Sequence, residues 1–238
     1  MGQFSRFEFG RSRLPSKAIV VALVYSPSRV AAFRKQFDHW ERLRGQWIRY
    51  SFARLEGREY IVLFGVYGAA MMLEAVQLLR DGGVSSMYLV GAMGARNLPV
   101  GTIVLPVSIE DVAGVVRIDN PRAKPATPNG RMLRLTRREL EERRLPYVEG
   151  ASASVPAVLH GIERVRRHLK SGEIVGYEME GSTFLHFARK HGVDACALFY
   201  VLDNEKHSII AGAKDVRRAR RRALLSAASV AAAVLRQS

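Results

Sequence analysis

The chain has a single cysteine, Cys196, in 238 residues. An intrachain disulfide and a Cys-x-x-Cys metal site are therefore excluded. Cys196 lies in the apolar run "ACALFYVL", which reads as a buried strand, so its thiol reads as a core group and not as a nucleophile. No apolar stretch reaches the length needed to span a bilayer. The longest, the Ala/Val-rich run 223–235, is too short and follows an arginine cluster. The N-terminal "MGQFSRFEFGRSRLPSK" lacks the apolar centre of a signal peptide. These absences predict a soluble, cytoplasmic protein with no membrane partner. The six histidines show no HxH or HExxH spacing, so no metal is expected. The glycine turns match neither GxxxxGK[ST] nor GxGxxG, which removes the usual ATP and dinucleotide signatures. Acidic residues are scarce as well: 22 against 37 Lys+Arg, for a formal charge of +15. A balance this basic favours anionic partners: nucleic acid, phosphate or phosphorylated metabolites. Only four Asn and five Gln occur, an arginine-rich, amide-poor composition that fits a hot environment.

Hydrophobic residues make up 48% of the chain, enough for a substantial core. "KAIVVALVY" (17–25), "SSMYLVGAMG" and "DACALFYVLDN" are continuous apolar runs, as in strands covered on both faces. "QWIRYSFARL" and "REYIVLFG" read as strands joined by a Glu-Gly turn. After "KAIVVALVY", Val30, Phe33, Phe37 and Trp40 recur at helical spacing, predicting one amphipathic helix capped by Ser26 or Ser28. "AAMMLEAVQLLRDGG" is a helix ended by glycine. "VGTIVLPVSIEDV" and "GVVRID" read as strands, "NPRAKPATPNG" as a surface loop, and "TRRELEERRL" as a short charged helix. "VEGASASV" and "EIVGYEME" read as strands, and "VLHGIERVRRHLKSG", the segment up to His191 and residues 213–236 as helices. The alternation predicts one α/β domain, a mixed, largely parallel central sheet flanked by helices, over 17–238 with residues 1–16 as an extension. The arginine run "KDVRRARRRALL" carries an apolar stripe (Val216, Ala219, Ala223, Ala227, Val230), so it reads as a docking helix and nucleic acid is not expected as a partner.

In open α/β sheets, ligands bind at the carboxyl ends of the strands. Here those ends read "SPSR", "GVYGAA", "GAMGAR", "EMEG" and "DNEKH". Glycines, arginines and carboxylates at five strand ends suit a polar, partly anionic ligand.

In this order the segments resemble the nucleoside phosphorylase-I family of purine nucleoside phosphorylases, uridine phosphorylases and methylthioadenosine/adenosylhomocysteine nucleosidases. "SPSRV" is similar to its G-D-P-x-R-V loop and "GVYGAA" to its G-x-G-x-P-S turn. "VGAMGARNLPVGTIVLP" is similar to V-G-[ST]-x-G-x…VGDIVLP, and "EMEGSTFLHFARKHGVDACALFYVLDN" to E-M-E-[SGA]-A-x…V-S-D. The resemblance implies the phosphorylase/hydrolase-like fold and a homo-oligomer, a hexamer or dimer. It implies cleavage of a nucleoside's N-glycosidic bond with inorganic phosphate as co-substrate and no cofactor, as in nucleoside salvage. Glu180 would accept hydrogen bonds from the ribose hydroxyls and Met179 would pack on the sugar. Glu178 would lie nearer the base, or else complement a helix dipole. Asp203 would be the catalytic acid or donor at the base, a role found in purine-cleaving members, so the resemblance implies a purine nucleoside as substrate and a place in purine salvage. Arg29 would bind phosphate, with Gly91 in the adjoining segment and Arg96, Lys214 or Arg217 as helpers.

The chain departs from the family at its phosphate end. Tyr25 and Ser26 stand where the loop has glycine and aspartate. Leu89-Val90-Gly91-Ala92 replaces R-[VI]-G-[TS], so an arginine and a hydroxyl are missing. Ala70 stands in place of a serine, no histidine precedes His39, and "SASVPAVLHG" offers no aromatic for the base. Water in place of phosphate, or a non-catalytic nucleoside-binding member, are the alternatives these losses leave open.

Overall fold

A computed structural model describes residues 3–157, 173–206 and 213–238. The segment 158–172, expected to be helical, and His207 lie outside the described residues.

The chain opens with α1 (Gln3–Phe9) and β1 (Lys17–Ala22), followed by α2 (Pro27–Arg34). Then come β2 (His39–Arg44), β3 (Arg49–Leu55), β4 (Arg58–Phe64) and α3 (Ala69–Asp81). The middle holds β5 (Ser86–Gly94), β6 (Ile103–Asp111), α4 (Val115–Asp119), α5 (Gly130–Glu142) and β7 (Tyr147–Ser154). The last elements are β8 (Gly176–Glu178), α6 (Gly181–Lys190), β9 (Asp194–Asp203) and α7 (Lys214–Gln237).

Among the described residues, nine strands join one mixed sheet in the order β2-β3-β4-β1-β5-β8-β7-β6-β9, with β5 also paired to β9. The extra pairing closes β5, β8, β7, β6 and β9 into a ring. The strands β4, β1, β5 and β9 run parallel, so their carboxyl ends emerge on one rim. One face of the sheet is covered by α1, α3 and α6 through Phe9, Met72, Leu79 and Phe184. The other is covered by α2, α5 and α7 through Phe33, Met132, Leu224 and Val230. Burial on both faces is why the central strands are apolar at every position. Cys196 is fully buried on β9, and burial pushes its thiol up to about 11, the environment of an inert core group. No helix among the described residues is long and apolar enough to cross a membrane.

Two local expectations change. The predicted helix through Trp40 ends at Arg34, capped at its start by the Ser26 hydroxyl, and residues 39–44 form strand β2 against β3. The apolar spacing is real but is shared between two elements. Val30 and Phe33 bury from the helix, while Phe37 and Trp40 pack on Tyr60 and Phe64 from the turn and the strand. "GVVRID" forms α4, not a strand. Gly114 adopts φ 86° ahead of it, and the Asp111 carboxylate accepts from the Gly114 and Arg117 N–H groups at 3.2 Å each. That side-chain cap outweighs the β-propensity of two valines.

Candidate active site

The parallel strand ends surround a small cleft of about 110 Å³. β1 contributes Ala22 and the residues after it, β5 contributes Met93 and Gly94, and β9 contributes Leu202 and Asp203. Tyr67 enters from the turn after β4, Arg29 from the first turn of α2, and Tyr177 through Glu180 from β8. Five residues singled out in the sequence (Arg29, Glu178, Met179, Glu180 and Asp203) thus meet in one place.

The two glutamates of "GYEMEG" face different partners. Glu178 is 3% exposed. Its Oε2 accepts the Glu180 N–H at 2.7 Å and the Gly181 N–H at 2.6 Å, and its Oε1 accepts the Ser154 hydroxyl. Ser154 Oγ in turn accepts the Ser182 N–H at 2.8 Å. Glu178 is thereby bonded to the first N–H groups of α6, where the helix dipole favours an anion. Burial pushes its carboxyl up, and these donors oppose the shift. Glu180, also 3% exposed, accepts the Gly68 N–H at 2.6 Å and the Met179 N–H at 3.3 Å. Burial first, and the neighbouring Glu178 second, push its carboxyl up to about 8. Gly68 adopts φ 82°, a conformation that favours glycine and turns its N–H onto Glu180. The chain thus holds a costly carboxylate at the mouth of a cleft, as functional sites do.

Asp203 ends β9 and is half-buried. Burial raises its carboxyl above the usual range, with Arg220 opposing. Gly94 is the register partner of Tyr177 on one side and of Asp203 on the other. A Cβ at Gly94 would stand 2.3 Å from the Tyr177 Cζ and 2.4 Å from its hydroxyl oxygen. The tyrosine ring therefore lies across Gly94, beside the strand that carries Asp203. Burial, and then the Asp203 charge, push the Tyr177 hydroxyl up to about 12, so it is a proton donor at neutral pH.

The profile of the phosphorylase superfamily matches residues 18–236. The chain belongs to the phosphorylase superfamily. The enzyme class read from the sequence, a pentosyltransferase of the nucleoside phosphorylase kind, stands with that membership. Among solved structures, the chain is similar to uridine phosphorylase from Vibrio fischeri ES114, with a TM-score of 0.81 and 20% identity over 94% of this chain and 93% of that one. The same values hold for that protein complexed with 6-hydroxy-1-naphthoic acid. A search of curated proteins gives no match.

The other positions that the superfamily resemblance pointed to are spread more widely. Arg29 borders the cleft with its Nη1 donating to the Val24 carbonyl. Gly91 does not line the cleft. It is buried within β5, where a Cβ would meet the Phe199 ring at 2.7 Å. Arg96 pairs with Glu205 at 2.9 Å and borders a separate surface cleft. Arg217 and Lys214 lie on the exposed first turn of α7 and do not line the cleft. Among the described residues, no group of three or more His, Cys, Asp or Glu could hold a metal ion.

Tyr67, Tyr177 and the Gly68 N–H were not singled out by the sequence reading. Both tyrosines lie inside quoted motifs, "GVYGAA" and "GYEMEG". An aromatic next to a strand-end glycine was the available signal.

Proposed function

We propose that this superfamily member cleaves the N-glycosidic bond of a nucleoside by phosphorolysis, releasing free base and ribose 1-phosphate. The observation that carries the proposal is the buried Glu180 carboxylate, held at the cleft by a backbone N–H from across it and paired with no cation among the described residues. Such a group suits the ribose hydroxyls, which donate to it, and the positive charge that develops at C1′. Hydroxyl donors favour its ionised form, so sugar binding lowers its pKa from the raised value. Met179 packs on the sugar beside it. As the C1′–N bond breaks, its electron pair leaves with the base. Asp203 and Tyr177 donate toward that charge, while a phosphate oxygen forms the new bond to C1′.

The fold likeness to two structures named uridine phosphorylase supports a uridine-type substrate first. Asp203 is the residue that supports a purine, and the same assay decides between them. The apolar lip of the cleft, where Val24 and Tyr67 are exposed, supports a homo-oligomer, a dimer or hexamer.

The test is a panel of uridine, thymidine, inosine and adenosine, with and without phosphate, assayed for free base and ribose 1-phosphate. Base release that depends on phosphate supports the proposal. A second reading, hydrolysis, is favoured by Leu89-Val90-Gly91-Ala92, which supplies neither arginine nor hydroxyl. It predicts free ribose without phosphate. Absence of base release with every nucleoside removes both readings.

A further inference from the structure

The helix α7 meets the rest of the protein with one side only. Its apolar stripe docks as expected: Val216, Ala223, Ala227 and Val230 are buried. Arg220 turns inward as well, and its Nε donates to the Leu202 carbonyl at 2.8 Å. Arg218, Arg221 and Arg222 stay outside and exposed. Spaced three and four residues apart, they share one side of the helix. The neighbouring helix α2 ends in Arg34, followed by Lys35, and both are exposed. Lys35 and Arg221 line the groove between α2 and α7, one from each helix.

Five cations thus stand along one groove. Among the described residues, none of the five side chains has a hydrogen-bond or ion-pair partner. No acidic residue lines the groove. α2 contains none, and α7 contains one, Asp215, in its first turn. Elsewhere arginines are paired: Arg96 with Glu205, Arg137 with Glu149 and Arg236 with Glu56. A cluster of unpaired like charges repels itself, and a polyanion laid on it removes that repulsion.

The chemistry of this surface selects among polyanions. A protein that lies on an anionic bilayer carries apolar or aromatic side chains beside its cations. Among the described residues, the exposed large hydrophobics are Phe4, Phe7, Val24, Trp47, Tyr67 and Ile118, and none lies on α2 or α7. Single-stranded nucleic acid also calls for aromatics, on which its bases stack. A duplex calls for cations alone. It carries one negative charge per about 1.7 Å of axis, and each neutralised phosphate releases bound counterions. Guanidinium forks match phosphate oxygens bidentately.

We propose that the groove between α2 and α7 binds the phosphate backbone of double-stranded nucleic acid, without regard to base sequence. Arg34 and Lys35 contact it from one helix, and Arg218, Arg221 and Arg222 from the other. The expectation of no nucleic-acid partner rests on the docking stripe, and that stripe occupies the opposite side of α7. The inference is independent of the nucleoside cleft, which none of these five residues lines.

The experiment is a fluorescence-anisotropy titration of a short labelled DNA duplex with the whole protein, across a series of salt concentrations. With all five cations engaged, log K is expected to fall with log salt at a slope of about −4 to −5. The triple variant Arg218→Gln, Arg221→Gln, Arg222→Gln is expected to reduce that slope by about three and to lower low-salt affinity about tenfold or more. A second triple variant, Arg122→Gln, Lys124→Gln, Arg189→Gln, removes the same charge from a cleft beside α6, on the other face of the sheet. It is expected to bind the duplex as wild type does. All six substituted residues are exposed, so neither variant disturbs the core. Equal losses in the two variants overturn the proposal, as does absence of duplex binding at low salt. Binding to phosphatidylserine vesicles with none to the duplex also overturns it. A competitor duplex of unrelated sequence is expected to displace the label equally well, and sequence-selective displacement contradicts recognition through the backbone.

Discussion

Glu178 and Glu180 are two residues apart, yet one bonds to the start of a helix and the other takes a backbone N–H from across the cleft. Glu178 holds the Glu180 and Gly181 N–H groups at 2.7 and 2.6 Å, whereas Glu180 holds Gly68 at 2.6 Å. The first contact builds the turn and the second aims a carboxylate at the site. The two positions are therefore expected to respond differently to the same substitution.

Glu180→Gln is expected to lower turnover about a hundredfold, the scale of losing a preorganised electrostatic contact in a transition state. The protein is also expected to become more stable. Its carboxyl titrates near 4.5 ordinarily and is pushed up to about 8 in the fold. Between those values the folded protein keeps a proton that the unfolded chain releases, so this group lowers stability as pH rises from 4.5 to 8 and adds no further change above that. Glu180→Gln removes the dependence. Melting curves should show a gain over wild type that is small at pH near 4.5 and largest at pH near 8 and above. A gain confined to acid would contradict the assignment.

Glu178→Ala is expected to cost about 2 kcal/mol or more, since it removes a helix N-terminal acceptor and strands buried donors. Ser154 Oγ, the Glu180 N–H and the Gly181 N–H all lose their acceptor. Urea denaturation measures the loss. An unchanged midpoint with lost activity would move Glu178 from scaffold to chemistry.

Gly94→Ala is expected to cost about 1–3 kcal/mol as overpacking. The new methyl would stand 2.3 Å from the Tyr177 Cζ. The ring must then move from its place between β8 and Asp203, and KM for the nucleoside is expected to rise. An unchanged KM would remove Tyr177 from the base side of the cleft.

The N-terminal extension is proposed to act as a clamp on the β2–β3 hairpin. The Glu8 carboxylate, 3% exposed, accepts the N–H groups of Gln46 at 3.1 Å and Ile48 at 2.7 Å. Deleting residues 1–16 is expected to lower Tm by several degrees, because it also uncovers the contacts of Phe9 and Leu14. An unchanged Tm would make the segment an appendage.

Strands buried on both faces announce themselves by unbroken apolar runs, which is why β1, β5 and β9 were legible in the sequence. Trp40 was misplaced because a spacing of three and four residues describes any chain that buries successive groups, helix or not. The β-branched pair Val115-Val116 suggested a strand, but the deciding group was the Asp111 side chain outside the segment. Closure of the ring through β5–β9 has no local signature, since pairing partners are distant in sequence. At the site, the strand-end carboxylates and Arg29 were legible because strand ends carry ligands. Arg220 was not, because in "RRARRR" nothing local separates the arginine that turns onto Leu202 from its neighbours.

The most direct test follows the ³¹P NMR spectrum of wild type and Glu180→Gln, side by side, with uridine or inosine in phosphate buffer. A ribose 1-phosphate resonance that grows with wild type and is nearly absent with Glu180→Gln is the predicted result. No such resonance with either nucleoside, or equal growth with both proteins, would contradict a phosphorolytic site built on Glu180.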